Sequence, residues 1–372
     1  MIRKFYVSGF RNLKEQVLLF DRPFIFLFGE NGSGKTSFIE SIYTVLNGKS
    51  FRSAKTKNIV SVAPNVTEFV LRAELVDSQT GSEISLALRK SCTDSFLAKV
   101  NGETVTSISQ LALVSPTQVI EPRTFNLLEG GSSPRRRFID WGVFHVEHSF
   151  KSAWKVYTNC LRQRNAMLRS GRVDNLLLNS WDKQLAEYGT ILDKARRRIV
   201  TSFNALLLES SKDFISEEIM SKLEFRYYAG WDNSKALIDV LTENRDKDVS
   251  KKKTHNGPHL SDLRVSYEGL PVSEGLSRGQ QKVVVLAMQM ALVKLVRDGT
   301  QKHVLLLVDD LGAELDSRNI VLLVTKLLSL DAMVIATGLN RELLNSDMSR
   351  NDKSLEPQMF HVEHGKIHEV KA

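Results

Sequence analysis

The residues best suited to chemistry in this sequence lie between positions 24 and 46. Five consecutive apolar residues, Phe24–Phe28, predict a buried strand, and Ser37–Leu46 predicts a helix. Four positions between them match the pattern G-x-x-x-x-G-K-[ST] of a phosphate-binding loop: Gly29, Gly34, Lys35 and Thr36. A glycine-rich turn without a ligand is the alternative. The position of the motif between a strand and a helix favours a nucleotide site.

Each residue type in this loop has a chemical reason. Glycines let the backbone turn tightly, so that its N–H groups point inward as a nest for an anion, and the next helix adds its positive N-terminal end. Lys35 supplies a charge for the β- and γ-phosphates, and the Thr36 hydroxyl is expected to bind Mg²⁺. The residues expected to bind the nucleotide are those of the whole loop: Gly29, Glu30, Asn31, Gly32, Ser33, Gly34, Lys35 and Thr36.

An acidic motif follows an apolar run late in the chain. Val304–Val308 predicts a buried strand that delivers Asp309 and Asp310 at its carboxyl end. We expect Asp309 to bind Mg²⁺ opposite Thr36, and Asp310 to orient or deprotonate an attacking water. An acidic turn after a core strand is the alternative, but the phosphate-binding loop earlier in the chain favours the catalytic interpretation.

The segment Gly275–Lys282 leads into an apolar helix. Ser277 and Gln280 have the spacing of a capping box, which by itself accounts for both residues. Gly279 is not explained in that way, and its missing side chain would let a phosphate approach the helix N-terminus. A second anion site makes sense if it serves the nucleotide of another subunit. We therefore expect ATP between two copies of the chain, with Ser277, Gly279 and Gln280 at the partner's nucleotide.

The composition is that of a globular protein. The 372 residues are 42% hydrophobic, enough for two domains, and no apolar run approaches the ~20 residues of a membrane span. The N-terminus shows no secretory signal, and Cys92 and Cys160 lie far apart with no CxxC, which predicts a cytoplasmic location and two buried thiols. The net charge of +8 favours a polyanionic partner without proving one.

Strand-like segments occur at both ends of the chain. Ile2–Val7 and Val17–Phe20 closely precede the strand before the phosphate-binding loop, and we expect them in its sheet. From Phe69 to Val105 apolar and polar residues alternate between turns, which predicts antiparallel hairpins. Met333–Thr337 is a further apolar run of the kind found in parallel sheets covered on both faces.

The middle of the chain is helical. After a connection rich in proline and glycine at 115–140, apolar residues recur at helical spacing from Phe150 to Leu206. The second part of this segment has intervals of four and three residues, which indicate a coiled-coil-like seam of roughly 26 residues, about 40 Å long. Residues 229–262 are polar and broken, and predict a loop or boundary.

Together these motifs are similar to the Walker A, signature, Walker B and D-loop elements of ABC-type ATPases. More narrowly, the chain resembles the bacterial RecF recombination-repair family along nearly its whole length. The matching segments are Phe10–Leu13, NGSGKTSFIESIY at 31–43, Ser50–Arg52, Gly131–Asp140, Gln163–Asn165, Gly257–His259 with Asp262, SRGQQK at 277–282 and DDLGAELD at 309–316.

The resemblance implies an α/β fold. We expect an ABC-type P-loop ATPase head, with a mixed sheet and an antiparallel β layer, plus a helical second lobe with a short coiled-coil-like hairpin. The expected division places 1–118 and 283–372 in the ATPase lobe and 119–282, ending in the signature, in the helical lobe.

The resemblance also implies an activity and partners. The family's pattern is a weak ATPase that forms an ATP-dependent homodimer on DNA and acts in replication and in the repair of DNA damage. With RecR and RecO, it would bring RecA to single-stranded gaps at their junction with duplex. Carried over by position, Lys35, Thr36 and Asp309 bind MgATP, Ser277 and Gly279 contact the partner's γ-phosphate, and Asp316 belongs to the D-loop at the interface.

The chain departs from these patterns at three places. The family usually has an acidic residue after Pro116, whereas here Gln118 becomes the candidate for the Q-loop glutamine. Leu260 stands where arginine is usual, and Gly338 stands where ABC transporters have the switch histidine.

DNA contact is expected from basic residues, because phosphate neutralisation supplies most affinity that is independent of sequence. Nothing in the chain resembles a base-reading motif, so we expect recognition of DNA structure and backbone without sequence preference. Gapped DNA and single-strand/duplex junctions are the targets that the resemblance implies. A solvated helix surface is the alternative for each cation. The candidates are Arg135, Arg136, Lys151, Lys155, Arg162, Arg164, Arg169, Arg196, Arg197 and Arg198.

Three other protein classes fit less well. The nucleotide-binding subunit of a transporter has far fewer residues between Walker A and the signature, and a switch histidine. An SMC-type chromosome-tethering protein needs hundreds of heptad-patterned residues, although another SMC-like DNA-associated ABC ATPase stays open as an alternative. A nuclease fused to an ATPase needs a further acidic metal cluster, which the sequence does not suggest.

Overall fold

A computed structural model of the chain describes residues 1–77, 79–93, 95–310, 312, 317–341 and 356–370. It contains two compact units, one formed by Met1–Phe125 with Val296–Ala372 and the other by Asn126–Leu295. The second boundary falls later than the sequence suggests because the helix after the signature belongs to the second unit as far as Leu295. Within that unit, Lys294 Nζ of this helix lies 2.7 Å from Glu209 Oε1.

The described strands and helices have the following bounds. The strands are β1 (Ile2–Ser8), β2 (Gln16–Leu19), β3 (Phe24–Phe28), β4 (Glu68–Val76), β5 (Glu83–Ser91), β6 (Phe96–Val100), β7 (Glu103–Thr104), β8 (Thr117–Ile120), β9 (Leu223–Tyr228), β10 (Asp262–Tyr267), β11 (Leu270–Pro271), β12 (Leu305–Val308), β13 (Met333–Gly338), β14 (Gln358–Glu363) and β15 (Lys366–Val370). The helices are α1 (Lys35–Asn47), α2 (Ser109–Ala112), α3 (Ser132–Val146), α4 (Phe150–Ser170), α5 (Asn175–Ser211), α6 (Glu217–Lys222), α7 (Leu237–Glu243), α8 (Arg245–Lys251), α9 (Val272–Gly275), α10 (Arg278–Thr300) and α11 (Ser317–Ser329). Short 3₁₀ helices span Thr56–Asn58, Pro122–Leu127 and Pro258–Leu260.

The first unit holds two sheets, an antiparallel one in the order β2-β1-β4-β5-β6-β7 and a mainly parallel one in the order β15-β14-β3-β13-β12-β8. The hairpins predicted from Phe69 to Val105 are confirmed as β4–β7. The prediction that the first two strands share the sheet of β3 is wrong, because β1 pairs antiparallel with β2 and β4. The alternating burial of β1 suits a sheet with one covered face, whereas β3 is buried on nearly every side.

The parallel sheet sets the position of the phosphate-binding loop. All residues of β12 and β13 are buried, as continuous apolar runs predict for a sheet covered on both faces. In its register, Val308 pairs with Ala336 on one side and with Ile120 on the other. Ala336 in turn pairs with Phe26. The residues that follow β3, β8, β12 and β13 therefore meet at one edge.

Helix α1 carries the loop into the core of the first unit. Ten of its residues are buried, among them Phe38, whose ring makes an edge contact with Phe5 of β1 at 5.7 Å between centroids. The helix ends at Asn47, one residue beyond the predicted Leu46. Its cap residue, Gly48, adopts the left-handed conformation (φ +65°) and donates its N–H to Thr44 O.

The second unit is mainly helical, with the small antiparallel sheet β11-β10-β9. Helix α5 has 37 residues and is about 55 Å long, so the predicted seam continues further at both ends. The prediction that residues 229–262 form a loop or boundary is wrong, since they contain α7 and α8. The prediction of two buried thiols holds for Cys160 but is wrong for Cys92, which is exposed. None of the described helices is long and apolar enough to span a membrane.

A buried network of charges ties α4 to later parts of the second unit. The guanidinium of Arg164 is fully buried and donates to Asp182 at 2.7 Å and to Asp248 at 2.8 Å. Beside it, the hydroxyl of Tyr157 lies 2.7 Å from Nδ1 of His259, and Nε2 of His259 lies 3.2 Å from Thr254 O. A carbonyl only accepts, so Nε2 carries the proton and the neutral ring accepts from Tyr157 through Nδ1.

We predict that this histidine makes stability depend on pH. Burial, reinforced by the nearby arginines, lowers the pKa of His259 from 6.5 to about 4. The unfolded chain then takes up the proton first as the pH falls, so the free energy of unfolding decreases between about pH 6.5 and pH 4. Between pH 7.5 and pH 5 the loss from this group is about 2 kcal/mol, measured by urea unfolding. His259→Gln removes that part of the pH dependence; an identical pH profile in the two proteins would contradict the assignment.

Candidate nucleotide-binding site

The phosphate-binding loop connects β3 to α1 directly. Gly29 has φ +154°, and a Cβ on it would lie 2.3 Å from the carbonyl oxygen of Val362, so any larger residue would displace the neighbouring strand. The ammonium of Lys35 donates to Gly29 O at 2.6 Å and to Glu30 O at 2.9 Å. These two bonds close the loop upon itself, with the positive charge inside its curve.

Two distant segments hold the loop from outside. The amide of Asn12, between β1 and β2, donates to Gly32 O at 3.2 Å and accepts from the Ser37 hydroxyl at 2.8 Å. In the turn between β14 and β15, the N–H of Gly365 donates to Ser33 O at 2.8 Å. The loop is therefore positioned by hydrogen bonds to both ends of the chain.

Asp309 joins the loop to the acidic motif. Its Oδ1 accepts from the hydroxyl of Thr36 and from the hydroxyl of Thr337, each at 3.0 Å. Its backbone N–H donates to Ile120 O at 2.8 Å, which continues the pairing of β12 with β8. The sequence predicted that Thr36 and Asp309 lie opposite one another, and the structure brings them together. The set of two hydroxyls and a carboxylate consists of the hard oxygen ligands that Mg²⁺ prefers.

Asp310 sits in a constrained backbone conformation next to this group. Its φ is +57°, in the left-handed region that is uncommon for residues other than glycine, and its N–H donates to the Thr337 hydroxyl at 2.8 Å. Thr337 therefore bonds both aspartates. Sequence reasoning gave it no role, and its position at the end of a parallel strand is the only signal that could have indicated one.

Partial burial shifts the pKa values of three charged groups at the site. Burial lowers the pKa of Lys35, while the carboxylates of Asp310 and Asp309 act in the opposite direction. Burial raises the pKa of Asp309, against the two hydroxyl hydrogen bonds. Burial also raises the pKa of Glu121, with a contribution from Asp309. An additional cation at this edge would lower the energy of these carboxylates.

Glu121 is a residue that sequence reasoning missed. It follows Ile120 at the carboxyl end of β8, in the strand position that corresponds to Asp309 after Val308. Gln118, the candidate for the Q-loop, lies instead inside β8, opposite Leu306. The expected D-loop residue Asp316 lies outside the described residues.

A fully buried carboxylate within α1 connects this helix to residues that precede it and follow it in the chain. Glu40 accepts from Arg11 through two bonds, Nε at 3.0 Å and Nη2 at 2.8 Å, and also from the Ser50 hydroxyl. Arg52 lies 3.6 Å away from the same carboxylate. Arg11 further donates to Asn58 O. The charge of Glu40 therefore fixes the segment 50–58 to the helix that carries the phosphate-binding loop.

The signature segment belongs to the second unit. The capping box is present, since the Ser277 N–H donates to the Gln280 side chain at 2.9 Å and the Gln280 N–H donates to the Ser277 hydroxyl at 3.3 Å. Both residues and Gly279 are exposed, and no described atom lies within 4 Å of a Cβ built on Gly279. The start of α10 is therefore accessible from solvent.

Several arginines considered for DNA contact are structural instead. Arg164 is fully buried between Asp182 and Asp248, and Arg196 is buried in a two-bond pair with Asp140. Arg135 pairs with Asp262 in the same way and is 14% exposed. Proposing these three as phosphate contacts is therefore wrong, because their guanidinium charges are already neutralised. Arg136 is partly buried and donates to Ser261 O at 2.6 Å, whereas Lys151 is half-buried and Arg162 is exposed.

Comparisons with known proteins identify the family. Residues 1–359 match the model of the RecF/RecN/SMC N-terminal domain. The chain is 33% identical to the DNA replication and repair protein RecF of Hahella chejuensis over 367 residues, which cover 98% of this chain and 97% of the relative. The chain belongs to the bacterial RecF family. The protein of the same name from Marinobacter nauticus is 36% identical over 372 residues and covers 98% of this RecF-family chain.

Solved structures agree on the fold. The recombination mediator protein RecF with ATP, described as part of the RecFOR pathway, superposes with a TM-score of 0.85 at 23% identity, over 100% of this chain and 97% of that one. An Smc head bound to the C-terminal winged-helix domain of ScpA gives a TM-score of 0.59 at 13% identity. The α/β head of the ABC and SMC type that the sequence predicts is therefore confirmed.

Removal of the Glu40 charge tests how much the buried pair with Arg11 contributes to the stability of the protein. We predict that Glu40→Gln lowers the free energy of unfolding by about 3 kcal/mol, because Arg11 is left partly buried without its counter-charge. Glu74→Gln is the matched control, since it breaks an exposed pair with Lys4 and is expected to cost less than about 1 kcal/mol. Urea unfolding at pH 7.5 measures the free energy of unfolding of both variants. Equal losses would show that the buried pair stabilises the protein no more than the exposed pair does.

Proposed function

We propose that this RecF-family chain binds and slowly hydrolyses ATP, and uses ATP to assemble on DNA during the repair of single-stranded gaps. The observation that carries the proposal is the shared Asp309 carboxylate, which bonds Thr36 of the phosphate-binding loop and Thr337 of a neighbouring strand. That arrangement brings an anion nest, a lysine and a carboxylate to one edge of a parallel sheet. It is the arrangement that phosphoryl transfer requires.

The residues fit a magnesium–triphosphate ligand. Thr36 and Asp309 would hold Mg²⁺, whose chemistry is to neutralise charge on the β- and γ-phosphates. Ser33 supports this, because its hydroxyl is buried without a hydrogen-bond partner among the described residues, as is typical of a donor reserved for a ligand. Lys35 would exchange its bonds to Gly29 O and Glu30 O for phosphate oxygens.

Asp310 is our choice for the residue that orients the attacking water. Its backbone is fixed by the Thr337 hydroxyl, so its carboxylate is carried on a rigid strand end next to Asp309. A positioned carboxylate of this kind contributes to hydrolysis by holding the water and accepting its proton. Slow turnover follows if the site is complete only when a second copy of the chain supplies the signature.

Dimerisation explains why the signature is exposed. A helix N-terminus with an accessible glycine and a serine hydroxyl suits the γ-phosphate of ATP held by another copy. Ser277, Gly279 and Gln280 would supply this second half of the cradle, and Asp316 would belong to the same interface. ATP would thereby hold two copies together, and its hydrolysis would release them.

The proposed biological role follows from the family and the charge. Curated relatives that match nearly the whole chain are named DNA replication and repair proteins, and this chain has a net charge of +8. We propose binding to the DNA backbone near junctions between single strand and duplex, together with RecR and RecO, to promote RecA loading. Neutralisation of phosphates would make this binding dependent on salt and independent of sequence.

We predict that Lys35→Arg damages hydrolysis more than binding. The larger guanidinium keeps the charge but displaces it from the β/γ-phosphates, so kcat is expected to fall on the order of 100-fold while ATP affinity changes much less. Phosphate release gives kcat, and titration with a fluorescent ATP analogue gives affinity. Lys49→Arg, at an exposed position just after α1, is the control. If both variants turn over like the unmodified protein, the site does not hydrolyse ATP as proposed.

We predict that Ser277→Arg abolishes ATP-dependent assembly. The added side chain would occupy the space proposed for the partner's γ-phosphate, so sedimentation velocity with ATP should show a monomer, and ATP should no longer raise the affinity for gapped DNA. Each protomer should still bind ATP through its own loop. Ser202→Arg, exposed on α5, is the control and should dimerise normally. A Ser277→Arg protein that still doubles its mass with ATP would rule out the shared cradle.

A further inference from the structure

Helix α4 carries an unusual distribution of charge. Its 21 residues include five lysines and arginines and no aspartate or glutamate. One of the five, Arg164, is neutralised inside the second unit. The other four form what we call the α4 cation row: Lys151, Lys155, Arg162 and Arg169.

The spacing of these four residues places them on one face. With 3.6 residues per turn, positions 151, 155, 162 and 169 fall within about 40° around the helix axis and extend over about 27 Å. Three of the side chains are exposed and Lys151 is half-buried. The opposite face, with Tyr157, Cys160 and Leu168, is buried. The row is therefore a straight, solvent-facing line of positive charge on a firmly packed helix.

Unlike several other cations of the second unit, the row has no counter-charge among the described residues. Arg198 pairs with Glu147, Arg197 with Asp193 and Lys235 with Glu243. Among the described residues, no acidic side chain forms an ion pair with any member of the row. Arg162 has one hydrogen bond, from its guanidinium to the neutral Asn159 at 2.7 Å. Four like charges on one face repel each other, so a polyanion would lower the energy of this surface.

The chemistry of the face indicates the form of the polyanion. Single-stranded nucleic acid is usually bound by aromatic side chains that stack on its bases. The exposed face of α4 has none, because the ring of Trp154 stacks between Phe150 and Tyr157 in the packed part of the helix. Cations without stacking or base-reading groups suit the phosphates of a duplex.

We propose that the α4 cation row is the surface that contacts the backbone of duplex DNA. This inference rests on the proposed function, which it refines by assigning the duplex side of the junction to one helix face. Each of the four charges would neutralise about one phosphate. The row would bind any duplex sequence equally, and its contribution would weaken as salt increases.

A charge-matched pair of variants tests the assignment in the full chain. The first replaces the row: Lys151→Gln, Lys155→Gln, Arg162→Gln and Arg169→Gln. The second removes the same charge from exposed cations that form ion pairs elsewhere: Lys4→Gln, Arg89→Gln, Arg226→Gln and Lys235→Gln. Circular dichroism and thermal melting establish that both are folded. Fluorescence anisotropy with ATP then gives the Kd for a 30-bp duplex, for a scrambled duplex and for a gapped duplex between 50 and 200 mM salt.

The expected result is specific to the row. Loss of four phosphate contacts should reduce the slope of log K against log salt by up to about 3.6, and should raise the duplex Kd at low salt by roughly tenfold or more for both sequences. The second variant should keep most of its affinity. Equal losses of duplex affinity in the two variants, or an unchanged salt slope in the first, would overturn the proposed role of the row. Neither result would contradict DNA binding by the chain. If the unmodified protein binds no duplex or gapped DNA under any of these conditions, the proposed function fails as well.

Discussion

The carboxylate of Asp309 accepts hydrogen bonds from two threonine hydroxyls that come from opposite parts of the chain. Thr36 lies at the start of α1 and Thr337 at the end of β13, so one oxygen atom connects the phosphate-binding loop, the acidic strand and a third strand of the sheet. The bonds are possible because the register of the parallel strands brings their carboxyl ends to one edge. Every role that we propose for the site depends on this common edge.

The phosphate-binding loop at this edge is held in place by hydrogen bonds from other segments of the chain. A nest of backbone N–H groups binds an anion only if the backbone keeps its shape without the ligand. Hydrogen bonds from Asn12 and Gly365 provide that rigidity, and the buried pair of Glu40 with Arg11 fixes the helix behind the loop. Preorganisation of this kind is what allows fixed dipoles and charges to act on phosphates.

Arginine residues serve two opposite purposes in the second unit. Arg164 and Arg196 are buried and neutralised, and their ion pairs connect α4 to α5 and α5 to α3. Arg162 and Arg169, on the same helix as Arg164, face solvent. A guanidinium can satisfy its charge with protein carboxylates or with an external anion, and only the presence of a partner within reach decides between them.

The sequence by itself determined the features that depend on neighbours a few residues apart. The strand–loop–helix motif at 24–46, the capping box of Ser277 and Gln280, the apolar strands and the helical middle of the chain are all local patterns, and the structure contains each of them. Tertiary structure decided what depends on distant partners. The antiparallel sheet of β1 and β2, the role of Thr337 and the burial of Arg164, 84 residues from Asp248, follow from pairings that no local spacing encodes. The physical reason is that local patterns follow from backbone geometry, whereas the environment of a polar side chain is set by whichever segment folds against it.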